Sequence, residues 1–288
     1  GGFDAWAGGF DAWAGGFDAW AGGHGAWSGG HGAWSGGADI APSTFGENLA
    51  IWDQINLPQG QSLAPNLGAG ITVAVIDTGL TSSHPGFSSS TIDFINDWDF
   101  IDNDSGTWDE WDAAFENTAR GHGTAVAGII LQVAPKATIL PIRAIDPDGM
   151  GDTDDIISAI DWAIQKGADI INLSVGTTHH VEALKAMVRY AADQGVFVVS
   201  SVGNENTGSV TYPARYAKDW VIDNYAISVG SVDRQGKKSV FSNYEDRLEI
   251  LAPGEGVYAP FKKSGDAFHN ASVTGTSFAT PMVSATLA

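Results

Sequence analysis

The stretch Val273-Thr274-Gly275-Thr276-Ser277-Phe278-Ala279-Thr280-Pro281-Met282-Val283-Ser284 sets a serine directly after a small, glycine-bearing turn and ahead of an apolar, helix-compatible run. A hydroxyl at such a point stands at a helix N-terminus, where backbone N–H groups lack partners and the dipole favours negative charge. Thr280 and Pro281 are expected in the first turn, where the missing N–H of a proline is tolerated. Taken alone, Ser277 reads as a helix N-cap. A serine becomes a nucleophile only with a base beside it and a group that orients that base.

Both have candidates upstream. The apolar run Ile71–Ile76 ends in Asp77-Thr78-Gly79, and Arg120-Gly121-His122-Gly123-Thr124-Ala125-Val126-Ala127-Gly128 puts a histidine at a second glycine-framed helix start. A histidine exchanges protons near neutral pH, as a general base requires. Asp77 is expected to accept a hydrogen bond from the imidazole and fix its tautomer. Asp-Thr-Gly also marks aspartic proteases, but those need two such motifs or a small homodimer, and this chain has one. The order Asp77, His122, Ser277, with the words V-I-D-T-G, G-H-G-T-x-V-A-G and G-T-S-x-A-T-P, resembles the subtilisin-family (subtilase) serine proteases.

Working outward, apolar runs alternate with helical patterns. Strands are expected at Ile71–Ile76, Thr138–Arg143, Asp169–Ser174, Val196–Ser200 and Ala226–Gly230, with helices at Thr153–Lys166 and Val181–Asp193 closed by Gly167 and Gly195. Continuous apolar strands separated by helices imply an α/β fold, a mainly parallel sheet covered on both faces. This agrees with the subtilisin-like fold, and ligands of such sheets bind at the carboxyl ends of strands.

The N-terminal part is different. Residues 1–37 repeat a seven-residue unit, G-G-F-D-A-W-A three times and G-G-H-G-A-W-S twice, before Gly36-Gly37. Two glycines per unit cost about 2 kcal/mol of helix propensity, so the period is not a coiled-coil heptad. The segment reads as a flexible Gly-rich linker, or as a stacking array built on Trp6, Trp13, Trp20, Trp27 and Trp34. Residues 38–70 read as an arm and linker, in which Asn48–Leu57 is short and amphipathic. Residues 71–288 read as the catalytic domain.

The resemblance covers about residues 47–288 and implies further site residues. Asn204, in Val198–Glu205 (V-V-S-S-V-G-N-E), is the expected side-chain donor of the oxyanion hole, with the Ser277 N–H as second donor. A peptide substrate is expected to add as a strand, between Gly149, Met150 and Gly151 on one side and Ser174, Val175 and Gly176 on the other. Ser200, Ser201 and Val202 are expected to line the primary specificity pocket, with Glu205 at its rim and Thr211 shortening it. An apolar or medium-sized residue before the cleaved bond follows, with a basic one admitted by Glu205. The resemblance also implies a family helical stretch continuing past Ala288.

Between Asp77 and His122 lies an acidic segment with Asp97, Asp99, Asp102, Asp104, Asp109, Glu110 and Asp112. It does not fit an EF-hand loop, since counting back from Gly106 puts Ile101 at the first ligand position. Trp98–Asp104 resembles a calcium-binding stretch of thermitase-like subtilases, which makes Asp99, Asp102 and Asp104 candidate calcium ligands. The calcium loop that follows the catalytic histidine helix in many subtilases has no room between Gly128 and Ala134. His24 and His31 could bind metal but read as solvated side chains, and His84, His179, His180 and His269 show no metal-ligand spacing. No cofactor is required for the expected chemistry.

The formal net charge of −20 argues against nucleic acid and anionic lipid as partners. Hydrophobic residues make up 43% without a twenty-residue apolar run, so no membrane span is expected. There are no cysteines to form disulfides. Gly1 shows no signal-peptide pattern, so export is implied by the resemblance alone. The expected function is that of a secreted, monomeric serine endopeptidase acting on proteins or peptides, with room for a propeptide upstream. The rival readings are a catalytically silent module of the same fold and a purely structural repeat protein. The second fails because the repeats fill only residues 1–37.

Overall fold

The computed structural model describes residues 4–6, 45–64, 66–87, 91–109, 111, 116–219, 224–264 and 267–288. In chain order the regular elements are β1 (Asp4–Trp6), α1 (Leu49–Gln54), α2 (Leu57–Leu63), β2 (Thr72–Asp77), β3 (Trp98–Asp99), α3 (His122–Val133), β4 (Thr138–Arg143), β5 (Met150–Asp152), α4 (Thr153–Gln165), β6 (Ile170–Leu173), α5 (Glu182–Asp193), β7 (Phe197–Ser201), β8 (Ala226–Val232), β9 (Ile250–Pro253), β10 (Val257–Ser264), β11 (Ala267–Val273) and α6 (Thr276–Leu287). The expected strands and helices are all present, with ends moved by up to two residues. Apart from β1, the repeat segment lies outside the described residues.

Seven strands form one sheet in the order β3-β4-β2-β6-β7-β8-β9, every pair parallel. The period of two along a strand divides its side chains between two cores. On β2, Val73 and Val75 join α3 and α6 on one face, while Ala74 and Ile76 join α4 and α5 on the other. Burial on both faces explains why these strands read as unbroken apolar runs instead of alternating ones.

Helix ends follow local chemistry. Asp152 caps α4 by accepting from the Asp154 N–H at 2.9 Å, with Asp154 and Asp155 in the first turn. Gly167 and Gly195, just past α4 and α5, both take φ of 78°, the left-handed stop that glycine adopts without steric cost.

α3 is buried along its whole length and α6 from Thr276 to Ala285. Helices apolar on all sides are those enclosed by protein. The antiparallel hairpin β10–β11 closes over α3. A Cβ on Gly128 would come within 2.5 Å of Pro260 Cδ, so this crossing depends on a glycine. The sheet thus carries Asp77 on its interior strand β2, with the N-termini of two buried helices on one face. Among the described residues no helix is long and apolar enough to cross a membrane.

Candidate active site

Asp77 is the last residue of β2 and fully buried; His122 is the first residue of α3 and Ser277 the second of α6. The His122 Nδ1–H donates to Asp77 Oδ1 at 2.6 Å. That oxygen also accepts from the Thr78 N–H at 2.8 Å. Asp77 Oδ2 is buried without a hydrogen bond among the described residues. A carboxylate so poorly solvated gains most from positive charge developing on the ring it touches. With Nδ1 committed to Asp77, Nε2 is the nitrogen left to accept a proton.

Close approach is what Gly123 permits. A Cβ there would stand 2.3 Å from the Gly79 carbonyl and 3.0 Å from Asp77 Cβ. The Gly123 N–H instead donates to Thr78 Oγ1 at 3.0 Å.

The Phe278 ring lies 5.1 Å from the His122 ring, which brings the start of α6 beside the imidazole. Ser277 and Ser174 are joined twice: the Ser277 hydroxyl donates to the Ser174 carbonyl at 3.1 Å, and the Ser174 hydroxyl to the Ser277 carbonyl at 2.7 Å. Pro281 falls inside α6, past the first turn where the sequence suggested it, because helical bonding already begins at Thr276. A proline four residues on leaves the Ser277 carbonyl without its helical partner. The hydroxyl of Ser174 supplies that bond.

Asn204 Oδ1 accepts from the Thr276 N–H at 2.8 Å and from its hydroxyl at 2.9 Å. These bonds fix the amide so that Nδ2 is its remaining donor. A Cβ on Gly275 would lie 3.5 Å from that nitrogen, and Gly275 takes φ of 152°. The arrangement combines a hydrogen-bonded Asp–His pair, a serine at a helix N-terminus and an amide donor held against the same turn.

The chain is similar to known proteins in sequence and in fold. The sequence pattern of the subtilase family matches residues 68–288. The chain belongs to the subtilase family. It is similar to thermitase of Thermoactinomyces vulgaris, 35% identical over 240 residues, 80% of this chain and 77% of that one. It is also 36% identical over 266 residues to the major intracellular serine protease of Bacillus subtilis (strain 168), covering 84% and 77% of the two chains. A solved cold-adapted subtilisin-like serine proteinase superposes with a TM-score of 0.63 at 30% identity, over 76% of this chain and 74% of that one. The protein is thus a subtilisin-like serine protease, a hydrolase of peptide bonds.

In this subtilase the expected substrate-edge residues fall at two strand ends, buried or half-buried. Gly149, with φ of 88°, leads into Met150 and Gly151 on β5. Ser174, Val175 and Gly176 follow β6. Thr211 packs against Gly176 so closely that a Cβ on the glycine would meet its Oγ1 at 2.5 Å. Ser200, Ser201, Val202 and Thr211 are all buried, and the Thr211 hydroxyl donates to the Ser201 carbonyl at 3.2 Å. Glu205, expected at the rim, folds back to accept from Asn243 Nδ2. Asn243 also donates to the Val202 carbonyl and accepts from the Glu205 and Thr207 N–H groups. Asn243 is a positioning residue that carries no motif, so no local signal in the sequence marks it.

A second such residue is Asp109, which the sequence placed among the acidic loop carboxylates. It is buried, accepting from the Gly121 N–H at 2.8 Å, the Thr124 hydroxyl at 2.7 Å and the Thr124 N–H at 3.3 Å. It therefore caps the helix that begins with His122, thirteen residues away in sequence. Burial pushes its carboxyl up to about 6, against the lowering effect of those donors.

The candidate calcium ligands are otherwise engaged. Asp99 Oδ2 and Asp102 Oδ2 both accept from Arg143 Nη1 at 2.7 Å. Asp99 Oδ1 takes the Ile101 and Asp102 N–H groups, and Asp104 Oδ1 the Gly106 N–H. Among the described residues no three carboxylate or imidazole groups gather as metal ligands. A guanidinium supplies the positive charge here, so as arranged these residues do not fit a calcium site.

Proposed function

We propose that Asp77, His122 and Ser277 form the catalytic triad of this protease, with Asn204 as an oxyanion donor. The observation that carries this is the 2.6 Å contact between His122 Nδ1 and Asp77 Oδ1, beside a helix that presents Ser277 in its first turn. The Ser277 oxygen attacks the peptide carbonyl carbon while His122 Nε2 takes its proton. The Asn204 Nδ2 and the Ser277 N–H hold the oxyanion. The C–N bond then breaks, and His122 passes the proton to the departing amine. Water attacks the resulting ester, giving a proton to His122 and returning the hydroxyl to Ser277.

In the free enzyme the Ser277 hydroxyl rests on the Ser174 carbonyl. A substrate strand laid along Ser174–Gly176 claims that carbonyl with its own N–H and releases the hydroxyl toward His122. Binding and activation are thereby linked. The other side of the peptide lies along Gly149–Gly151. The pocket of Ser200, Ser201 and Val202, narrowed by Thr211 against Gly176, takes an apolar or medium-sized side chain. With Glu205 bound to Asn243, a basic side chain is not the favoured occupant.

Labelling of the chain by a fluorophosphonate, beside Ser277→Ala, tests the assignment. Labelling confined to the unsubstituted chain is expected. A folded chain that takes no label would favour the silent module, and equal turnover in the variant would remove Ser277 from the reaction. Action as a monomer outside the cell is proposed from family likeness, and is checked by light scattering and by fractionating producing cells.

A further inference from the structure

The N-terminal repeat is a sequence motif that the protease chemistry leaves unused. Its first unit contributes β1, which pairs antiparallel with β5: Asp4 opposite Asp152, Ala5 opposite Gly151 and Trp6 opposite Met150. β5 has no other strand partner among the described residues. It lies next to the chemistry. A Cβ on Gly151 would touch the Ala144 carbonyl at 2.5 Å, and the Ala144 and Ile145 N–H groups donate to the Asp77 carbonyl. The loop before β5 accepts the Ala119 N–H on the Pro147 carbonyl, three residues ahead of His122.

From this pairing we infer that the repeat is an intramolecular peptide ligand of the protease, seated on the edge that substrate uses. The inference rests on the proposed substrate edge at Gly149–Gly151. Strand addition draws affinity from the main chain, which suits a ligand of small and alternating residues. The Ala-Trp step recurs at Ala12-Trp13, Ala19-Trp20, Ala26-Trp27 and Ala33-Trp34. The repeat therefore offers the edge the Ala-Trp step five times over. An attached ligand meets its site at about millimolar effective concentration, enough for a weak peptide to compete.

The test replaces Ala5 and Trp6, and the equivalent pair in every unit, by proline in the full chain. Consecutive N–H groups point to opposite sides of a strand, so a double replacement removes whichever faces β5. Two readouts are taken: amide hydrogen exchange at Met150–Asp152, and the kinetics of a short peptide amide. Faster exchange is expected, with KM lowered roughly threefold to tenfold and kcat unchanged. Unchanged exchange would overturn the inference whatever the activity. Faster exchange with an unchanged KM in an active enzyme would overturn it too, by separating β5 from substrate. Absence of both turnover and fluorophosphonate labelling in either chain would instead remove the protease assignment, and the inference with it. A KM that depends on enzyme concentration would assign the strand to a second copy and overturn the intramolecular form.

Discussion

The hydroxyl of Ser174 donates to the carbonyl of Ser277 at 2.7 Å, the carbonyl that Pro281 cannot bond. The Ser277 carbonyl is therefore held by the residue that follows β6 and not by its own helix. Ser174→Ala should lower stability by about 1–3 kcal/mol, the cost of a buried unpaired carbonyl. Pro281→Ala restores an N–H, so the double variant should lose less than the sum of the two single changes. Thermal denaturation of the four chains gives the coupling, and strict additivity would separate the two residues.

Asn204 has two duties that one substitution can divide. Asn204→Asp keeps an acceptor for Thr276 but loses the Nδ2 donor. Its Tm should stay close to the parent value while kcat falls by about 10²–10³, the usual loss for one oxyanion donor. A parallel fall of Tm and kcat would point to a scaffolding role alone.

Asp109 holds the start of α3 through three bonds. Asp109→Asn replaces one accepting oxygen by a donor and should reduce kcat about tenfold by displacing His122. Its carboxyl titrates higher in the folded state, at about 6 against an ordinary 3.8. The folded state binds more protons between those values, so the contribution of Asp109 is largest below 3.8 and is lost as pH rises through 6. The stability gap between parent and variant should narrow over that window in denaturant titrations.

His84 predicts the opposite slope. Burial pushes its imidazole down to about 4 from 6.5, and the neutral ring accepts from the Gly86 N–H while Nε2 faces the His269 carbonyl at 3.2 Å. Here the unfolded chain binds the extra proton, so the stabilisation is complete above 6.5 and fades toward pH 4. The full effect is roughly 3 kcal/mol. The advantage of the parent over His84→Asn should shrink with acid; a constant gap would place the ring in solvent.

Arg143 is the counter-charge of a fully buried Asp99. Arg143→Met should destabilise by about 3–5 kcal/mol, since it strands a carboxylate. Calcium should not restore the lost Tm. Full recovery at millimolar calcium would return Asp99, Asp102 and Asp104 to the metal-ligand reading.

Some of this was legible in the chain itself. Asp77, His122 and Ser277 stand out because each sits where a strand ends or a helix begins at a glycine-framed turn, and those words are local. Five of the seven strands of the parallel sheet are legible for a related reason: burial on both faces leaves no polar alternation to confuse them. By contrast, the edge strands β3 and β9 are two and four residues long, and β9 exposes Ile250 and Leu251. The hairpin β10–β11 carries no clear strand signal, as Pro260 interrupts its first strand and removes a ladder donor. Asp109 and Asn243 were out of reach for another cause. Each acts on groups distant in sequence, and an aspartate in a loop looks the same whether it caps a helix or faces water. Pro281 was placed a turn too early because propensity does not mark where hydrogen bonding begins.

The position of Ser277 after every strand of the sheet has a bearing on how the molecule is made. Asp77 and His122 come from early elements, but the serine belongs to a helix that can dock only once β6, β7, β8 and β9 offer it a floor. Contacts of such sequence separation form late in folding. With Ser277 as the proposed nucleophile, such an order would arm the protease only after its own strands are hidden from attack.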